Sequence, residues 1–300
     1  MNIVVTGSSS CLARALLPRL CADPEVTQVT GIDLLPEHFA HAKFRSLIAD
    51  FRDPQVMALL PDHNALVHLA YVVLRGHMPA SAMHDVNVSG SLKLLQAAQA
   101  AGVRRIIHLS SAAVYGGGTN LAETAPYAPL PDFCYGAHKA ELEQLLEQTV
   151  PQCVRLRPHV ILGPNAQPTL RQMLALPAYP ALADPQPELQ CVHENDVADA
   201  IIGSLKRDVQ GAYNLAAAES FTLRDVMRHR HALCLPLPAV MARAGLAIAH
   251  RMSGWGGETG WLSGLGQTLT LDCSRAAREL HWQPVYASAQ TLAATGITAG

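Results

Sequence analysis

The chain has 300 residues, 49% of them hydrophobic and 15% charged, with a formal net charge of -2 at pH 7. That is enough apolar material to bury a sizeable core, in one large domain or two unequal lobes. The balanced charge, with no basic tract, leaves no electrostatic footprint for a nucleic-acid partner.

The opening Met1-Asn2-Ile3-Val4-Val5-Thr6-Gly7 lacks the cationic start, apolar stretch and cleavage site of a signal peptide, and reads as a first strand. Further strands are predicted at Val26–Ile32, Phe44–Ala49, Ala65–Leu69, Arg105–Leu109 and Cys153–Arg157, the first running over Ile3–Thr6. Between them lie apolar-periodic stretches long enough for helices, at Cys11–Leu20, Met83–Ala101 and His138–Gln148. This alternation predicts an α/β fold with a doubly wound parallel sheet, and strands as apolar as Ala65–Leu69 fit a sheet covered on both faces. After Gly163 six prolines, from Pro164 to Pro187, break the pattern, and helices are predicted at Asp196–Leu205, Leu223–His231, Ala239–Arg251 and Arg275–Leu280. The expected organisation is a first domain over residues 1–163, to which Val192–Leu215 returns, and a smaller, mostly helical C-terminal lobe within 164–300. Leu233–Ala249 is the most apolar late segment, yet Pro236, Pro238 and Arg243 make it a poor membrane span. Seven widely spaced cysteines without a Cys-x-x-Cys pair favour reduced thiols in a cytoplasm, with no metal site. A soluble, cytoplasmic protein is expected.

The first strand runs into Thr6-Gly7-Ser8-Ser9-Ser10-Cys11-Leu12-Ala13, the layout of a strand-to-helix phosphate loop. Glycines in such a loop allow a tight turn and close backbone approach. Gly7 is present, the second glycine position is Ser10 and the third is Ala13, which still permits close helix packing. The Ser10 hydroxyl either bonds a phosphate or its bulk weakens binding, and a plain strand-loop-helix turn is the alternative. Asp33 follows the second strand, 20 residues after Ala13, where a carboxylate accepts hydrogen bonds from a ribose and repels a 2′-phosphate. Leu34 and Leu35 bring no cation to neutralise one, so NAD is favoured over NADP. Asp50, next to Phe51 after the third strand, either reaches the adenine or caps a helix.

Tyr135 and Lys139, four apart in Tyr-Gly-Ala-His-Lys, share one helix face, and they lie downstream of Ser111 by 24 residues. A tyrosine has to come down about three units from its reference pKa of about 10, or about 4 kcal/mol, to shuttle protons near neutrality. An adjacent ammonium and a cationic nicotinamide supply that.

In this order the motifs resemble the extended short-chain dehydrogenases/reductases, in their NAD-dependent epimerase/dehydratase branch. The matching pieces are the Thr6-Gly7 loop, Asp33, Asp50, His68-Leu69-Ala70, Asn87 to Ser91, Ser110 to Gly116, Tyr135/Lys139, Arg157-Pro158, Val192 to Ala198 and Ala277 to Pro284, covering nearly the whole chain. The resemblance implies a Rossmann-type domain binding NAD through Gly7, Ser9, Ser10, Cys11, Leu12, Asp33, Asp50, Phe51, Leu69, Ala70, Tyr71, Asn87, Tyr135, Lys139 and Pro158. It implies Tyr135 as the acid/base, Lys139 as the group that holds the nicotinamide ribose and lowers the tyrosine pKa, and Ser111, or its neighbour Ser110, as the group that polarises the reacting oxygen. It also implies a homodimer through Met83–Ala101 and Phe133–Gln148, and a small-molecule substrate.

Departures matter for that substrate. Val160 stands where relatives acting on UDP-galactose place an asparagine, and Leu189-Gln190-Cys191 where they carry Arg-Asp. The primary expectation is an oxidoreductase moving hydride between nicotinamide and a secondary alcohol or ketone, with a nucleotide-sugar epimerase or dehydratase, and a non-catalytic dinucleotide sensor, as alternatives. His229 and His231 are two apart and share no helix face, which argues against a metal pair. Cys134 reads as an inert thiol, and Trp255 and Trp261 as a lid over an apolar pocket or as core anchors.

Overall fold

A computed structural model describes residues 1–36, 39–74, 76–175, 178–182, 185–230, 235–238, 240–242, 244–245, 248 and 260–296. The chain begins β1 (Asn2–Thr6), α1 (Cys11–Ala22), β2 (Gln28–Asp33), β3 (Phe44–Ile48), α2 (Pro54–Leu59) and β4 (Ala65–His68). After α3 (Ala80–His84) and α4 (Ser91–Ala100) come β5 (Arg105–Leu109), β6 (Gly118–Leu121), α5 (Cys134–Thr149), β7 (Val154–Pro158) and β8 (Val160–Leu162). Then follow α6 (Pro168–Ala175), β9 (Ala178–Ala181), β10 (Glu188–Leu189), β11 (Cys191–His193), α7 (Glu194–Lys206), β12 (Gly211–Leu215) and α8 (Leu223–Arg230). Seven strands form one sheet in the order β12-β7-β5-β4-β1-β2-β3, with every pairing parallel. The chain leaves β1 in one direction through β2 and β3, then returns to its other side at β4. The crevice between β1 and β4 is thus the switch point where ligands of such sheets bind.

Alternation along the strands builds the two halves of the core. Ile3, Val5, Val67 and Ile107 pack with Leu16 and Leu20 of α1 and Val197 and Ile201 of α7, while Val4, Leu66 and Ile106 pack with Leu94 and Leu95 of α4 and Leu142 and Leu146 of α5. Each such fully buried side chain contributes about 1.5–3 kcal/mol. β12 is thus an edge strand of the main sheet, and α7 packs on that sheet's face.

The single helix expected over Met83–Ala101 is interrupted by a π turn at Asp85–Gly90 between α3 and α4. The Ser91 hydroxyl bonds the Val86 carbonyl at 3.2 Å, and a Cβ on Gly90 would lie 2.6 Å from Arg52 Cδ, so the turn is set by contacts that periodicity does not encode. Beyond β7 the described chain adds short paired strands to its helices: β8 with β11, β10 with Phe221–Thr222, β6 with Leu269–Leu271 and β9 with Leu235–Pro238. The helix expected over Ala239–Arg251 lies largely outside the described residues, as do His231 and Trp255. Among the described residues no helix is long and apolar enough to cross a membrane, and no group of side chains could hold a metal ion.

Candidate active site

The turn after β1 is closed backbone to backbone. Gly7 adopts φ 73°, and a Cβ there would lie 2.6 Å from the Ala70 nitrogen, so only glycine fits between this loop and the one after β4. Ser10 is the N-cap of α1, where its hydroxyl accepts the Ala13 N–H at 3.3 Å. The hydroxyl thus serves the helix's own first turn. Cys11 opens α1 half-buried, with Leu12 buried behind it. At the end of β2 the Asp33 carboxylate accepts the Ser9 N–H at 3.0 Å and the Leu35 N–H at 3.1 Å, tying the glycine turn to the next loop. A tight glycine turn, a helix N-terminus and a strand-end carboxylate at one crevice fit a dinucleotide.

Asp50 does not take the helix-cap role left open by the sequence. Its carboxylate accepts Arg52 N–H, Nε and Nη2 at 2.9, 3.0 and 2.7 Å, and α2 is headed by Asp53 instead. Those bonds from Arg52 hold its pKa below the ordinary value. Phe51 is buried edge-on against His68, ring centres 5.1 Å apart. Asn87, fully buried in the π turn, clamps the loop after β4 by accepting the Val72 N–H at 2.8 Å and donating to the Val72 carbonyl at 2.9 Å. It shapes the segment that carries Leu69, Ala70 and Tyr71. Beneath that loop His68 bridges Thr6 Oγ1 at 2.6 Å and Ser91 Oγ at 2.8 Å, and burial pulls its pKa down to about 3, so it is neutral. His108, its register partner on β5, stacks on it at 5.6 Å.

Ser111, Tyr135 and Lys139 come together over the C-terminal end of β5. Ser111 caps the short turn Ala112–Tyr115 by accepting the Ala113 N–H at 3.2 Å, and its hydroxyl lies beside the Tyr135 phenol. Ser110 points the other way, donating to the buried Glu143 carboxylate. Lys139, 2% exposed, donates to the Leu109 carbonyl at 2.6 Å; its Nζ lies 3.3 Å from the centre of the Tyr71 ring and 5.9 Å from that of Tyr135.

Burial pushes the Tyr135 phenol up, against the pull of the Ser111 hydroxyl, and burial pushes Lys139 well down, against Glu143. The Lys139 side chain faces the Tyr71 ring.

Glu143 is the functional neighbour that sequence reasoning missed. It is fully buried, accepts Arg157 Nε at 2.9 Å and Nη2 at 2.7 Å, and Arg157 in turn reaches the Tyr115 hydroxyl at 2.7 Å and the Tyr127 hydroxyl at 2.8 Å. Its spacing was the available signal, four residues after Lys139 on the Tyr135 face of α5. Pro158 ends β7, buried beside this network. On the outer side, Phe133 and Trp261 pack near Tyr135 with ring centres 5.5 and 5.7 Å away. Val160 is 40% exposed, while Gln190 is buried between the Leu271 N–H at 2.8 Å and the Ala217 carbonyl at 2.9 Å.

The sequence profile of the NAD dependent epimerase/dehydratase family matches residues 3–216. The chain belongs to that family. It is therefore an NAD-dependent enzyme of the extended short-chain dehydrogenase/reductase type, with a Rossmann-type fold. An uncharacterised protein of Mycobacterium tuberculosis (strain ATCC 25618 / H37Rv) is 25% identical, over 96% of this chain and 81% of its own length. The N-acetyl-alpha-D-glucosaminyl-diphospho-ditrans,octacis-undecaprenol 4-epimerase of Escherichia coli O157:H7 is 31% identical over 54% of this chain and 49% of its own. Among solved structures, MoeE5 in complex with UDP-glucose and NAD superposes with a TM-score of 0.77 at 18% identity, covering 98% of this chain and 97% of that one. The UDP-glucose 4-epimerase of Thermotoga maritima superposes with a TM-score of 0.76 at 18% identity, with the same coverage of 98% and 97%.

Proposed function

We propose that the protein retains NAD and epimerises a secondary carbinol of a diphosphate-linked sugar, removing its hydride and returning it to the opposite face. NAD held in the β1–β4 crevice would supply the hydride acceptor and donor for this exchange. Tyr135 takes the carbinol proton during oxidation and restores it during reduction, and Ser111 hydrogen-bonds the reacting oxygen. Lys139 holds the nicotinamide ribose from below. Gly7, Ser9, Ser10, Cys11 and Leu12 line the pyrophosphate, with Asp33 on the adenosine ribose. Asp50, Phe51, Leu69, Ala70, Tyr71, Asn87 and Pro158 form or shape the remaining wall.

One observation carries epimerisation over dehydration. Ser111 is followed by Ala112 and Ala113, the described ring neighbours of Tyr135 are Phe133, Tyr71 and Trp261, and the Glu143 carboxylate is taken up by Arg157. Expelling water from a sugar calls for a second acid beside the substrate, whereas moving a hydride out and back needs only the phenol. The epimerases among the similar proteins support the substrate class.

A second reading is a dehydrogenase that exchanges NADH with solution and acts on an apolar alcohol or ketone. The aromatic pair Phe133 and Trp261, and the apolar, partly exposed Val160, favour it. The test is to incubate the protein with UDP- and dTDP-hexoses and with secondary alcohols, following sugars by NMR and NADH by absorbance. Sugar interconversion without net NADH is expected; alcohol-dependent NADH with inert sugars would overturn the proposal in favour of the second reading.

A further inference from the structure

Tyr71 is carried into the reactive centre by a loop that has little freedom. Asn87 holds both backbone polar groups of the adjacent Val72, and the Gly7 turn abuts Ala70. The Tyr71 ring stands edge-to-face with Tyr135 at 5.6 Å, and the Lys139 ammonium lies 3.3 Å from its centre. Its hydroxyl is buried and has no hydrogen-bond partner among the described residues, so the oxygen does not fix the ring's position.

The ring face explains the arrangement. An ammonium has three donors, and Lys139 is too buried to satisfy them with water. Leu109 accepts one, and the negative face of Tyr71 supplies the complementary potential for the charge. The other groups facing the ammonium are Glu143 from the next turn of α5, Tyr135 from the preceding turn, and the neutral His68 and His108 from β4 and β5. Of these only Glu143 favours the charged lysine, and it is already paired with Arg157.

We propose that Tyr71 is a positioning residue of the reactive centre: its ring face seats Lys139 Nζ and fixes it beneath Tyr135, favouring the charged lysine against the burial that opposes it. This rests on the reading that Lys139 serves that centre, and it adds a residue whose aromatic face, not its hydroxyl, is what matters.

The test is NMR on protein carrying carbon-13 at the lysine Cε. The chain has four lysines, and Lys139 is assigned by loss of its signal in Lys139→Met. The Lys139 Hε protons are expected upfield of the other three, shifted by the ring current of Tyr71. Tyr71→Phe should keep the Lys139 titration midpoint, whereas pentafluorophenylalanine at position 71, of similar shape but reversed face potential, should lower it by about one pH unit. Protons resonating with the other lysines, or equal midpoints for the two rings, would overturn the proposal. If a substituted chain does not fold, the wild-type shift decides alone. No nucleotide is needed, so a protein found unable to hold NAD would refute the proposed function without changing this result.

Discussion

Beneath Ser111 and Lys139 the site is polar and locked: Glu143 and Arg157 are buried, and their hydrogen bonds reach Ser110, Tyr115 and Tyr127. On the other side of Tyr135 the described contacts are aromatic, from Phe133 and Trp261, and the Ser263 hydroxyl donates to the Asp132 carboxylate at 2.6 Å. Directional bonds in a dry interior hold the acid/base group to one geometry, at the expense of desolvating two charges. Aromatic contacts are less directional, so that side can change with substrate while the proton chemistry stays fixed. Under the proposed function, the inner half would set what reaction is done and the outer half on what.

The largest expected effect comes at the boundary of the two halves. Tyr135→Phe should lower turnover by about 100-fold or more while leaving the NAD dissociation constant near wild type; unchanged turnover would remove the phenol from the mechanism. Next, Glu143→Leu should strand the buried Arg157 charge and cost about 3 kcal/mol or more in urea unfolding, with Arg157→Met in the same chain restoring part of it. Equal losses in the single and double variants would mean that the inner network is not coupled.

A pH titration reads the same half more gently. His68 carries a pKa of about 3 when folded and 6.5 as its ordinary value, so the unfolded chain binds its proton first. The stability it contributes is present above pH 6.5 and is lost progressively toward pH 3, with a slope approaching about 1.4 kcal/mol per pH unit. His68→Gln should flatten the wild-type slope between those limits; an unaltered slope would mean that His68 is not held neutral. The smallest effect belongs to the outer half. Trp261→Ala should cost about 1 kcal/mol or less of stability and change KM more than kcat, whereas a loss as large as that of Glu143→Leu would show that both halves are equally structural.

Much of this could be read in the chain itself, for identifiable reasons. β1, β4 and β5 are short, β-branched and bounded by turns, so they stand out, and Tyr135 and Lys139 are joined by simple helix geometry. Gly7 and Asp33 were legible because a strand-loop-helix turn restricts which residues it accepts. Glu143 was not, since a glutamate on a helix reads as a solvated residue until Arg157, from a strand formed later in the chain, buries it. Asn87 and Tyr71 were read only as cofactor-binding residues; that one clamps Val72 and the other faces Lys139 was hidden, because both contacts join segments distant in sequence. The π turn at Asp85–Gly90 was hidden because residues 83–101 keep helical periodicity through it.

The most direct test of the central claim is to denature freshly purified protein and identify any released nucleotide by chromatography and mass spectrometry. The account predicts near-stoichiometric NAD, retained because an epimerase recycles its hydride within one cycle. Protein that releases no nucleotide, and that then fails to bind NAD on titration, would contradict it.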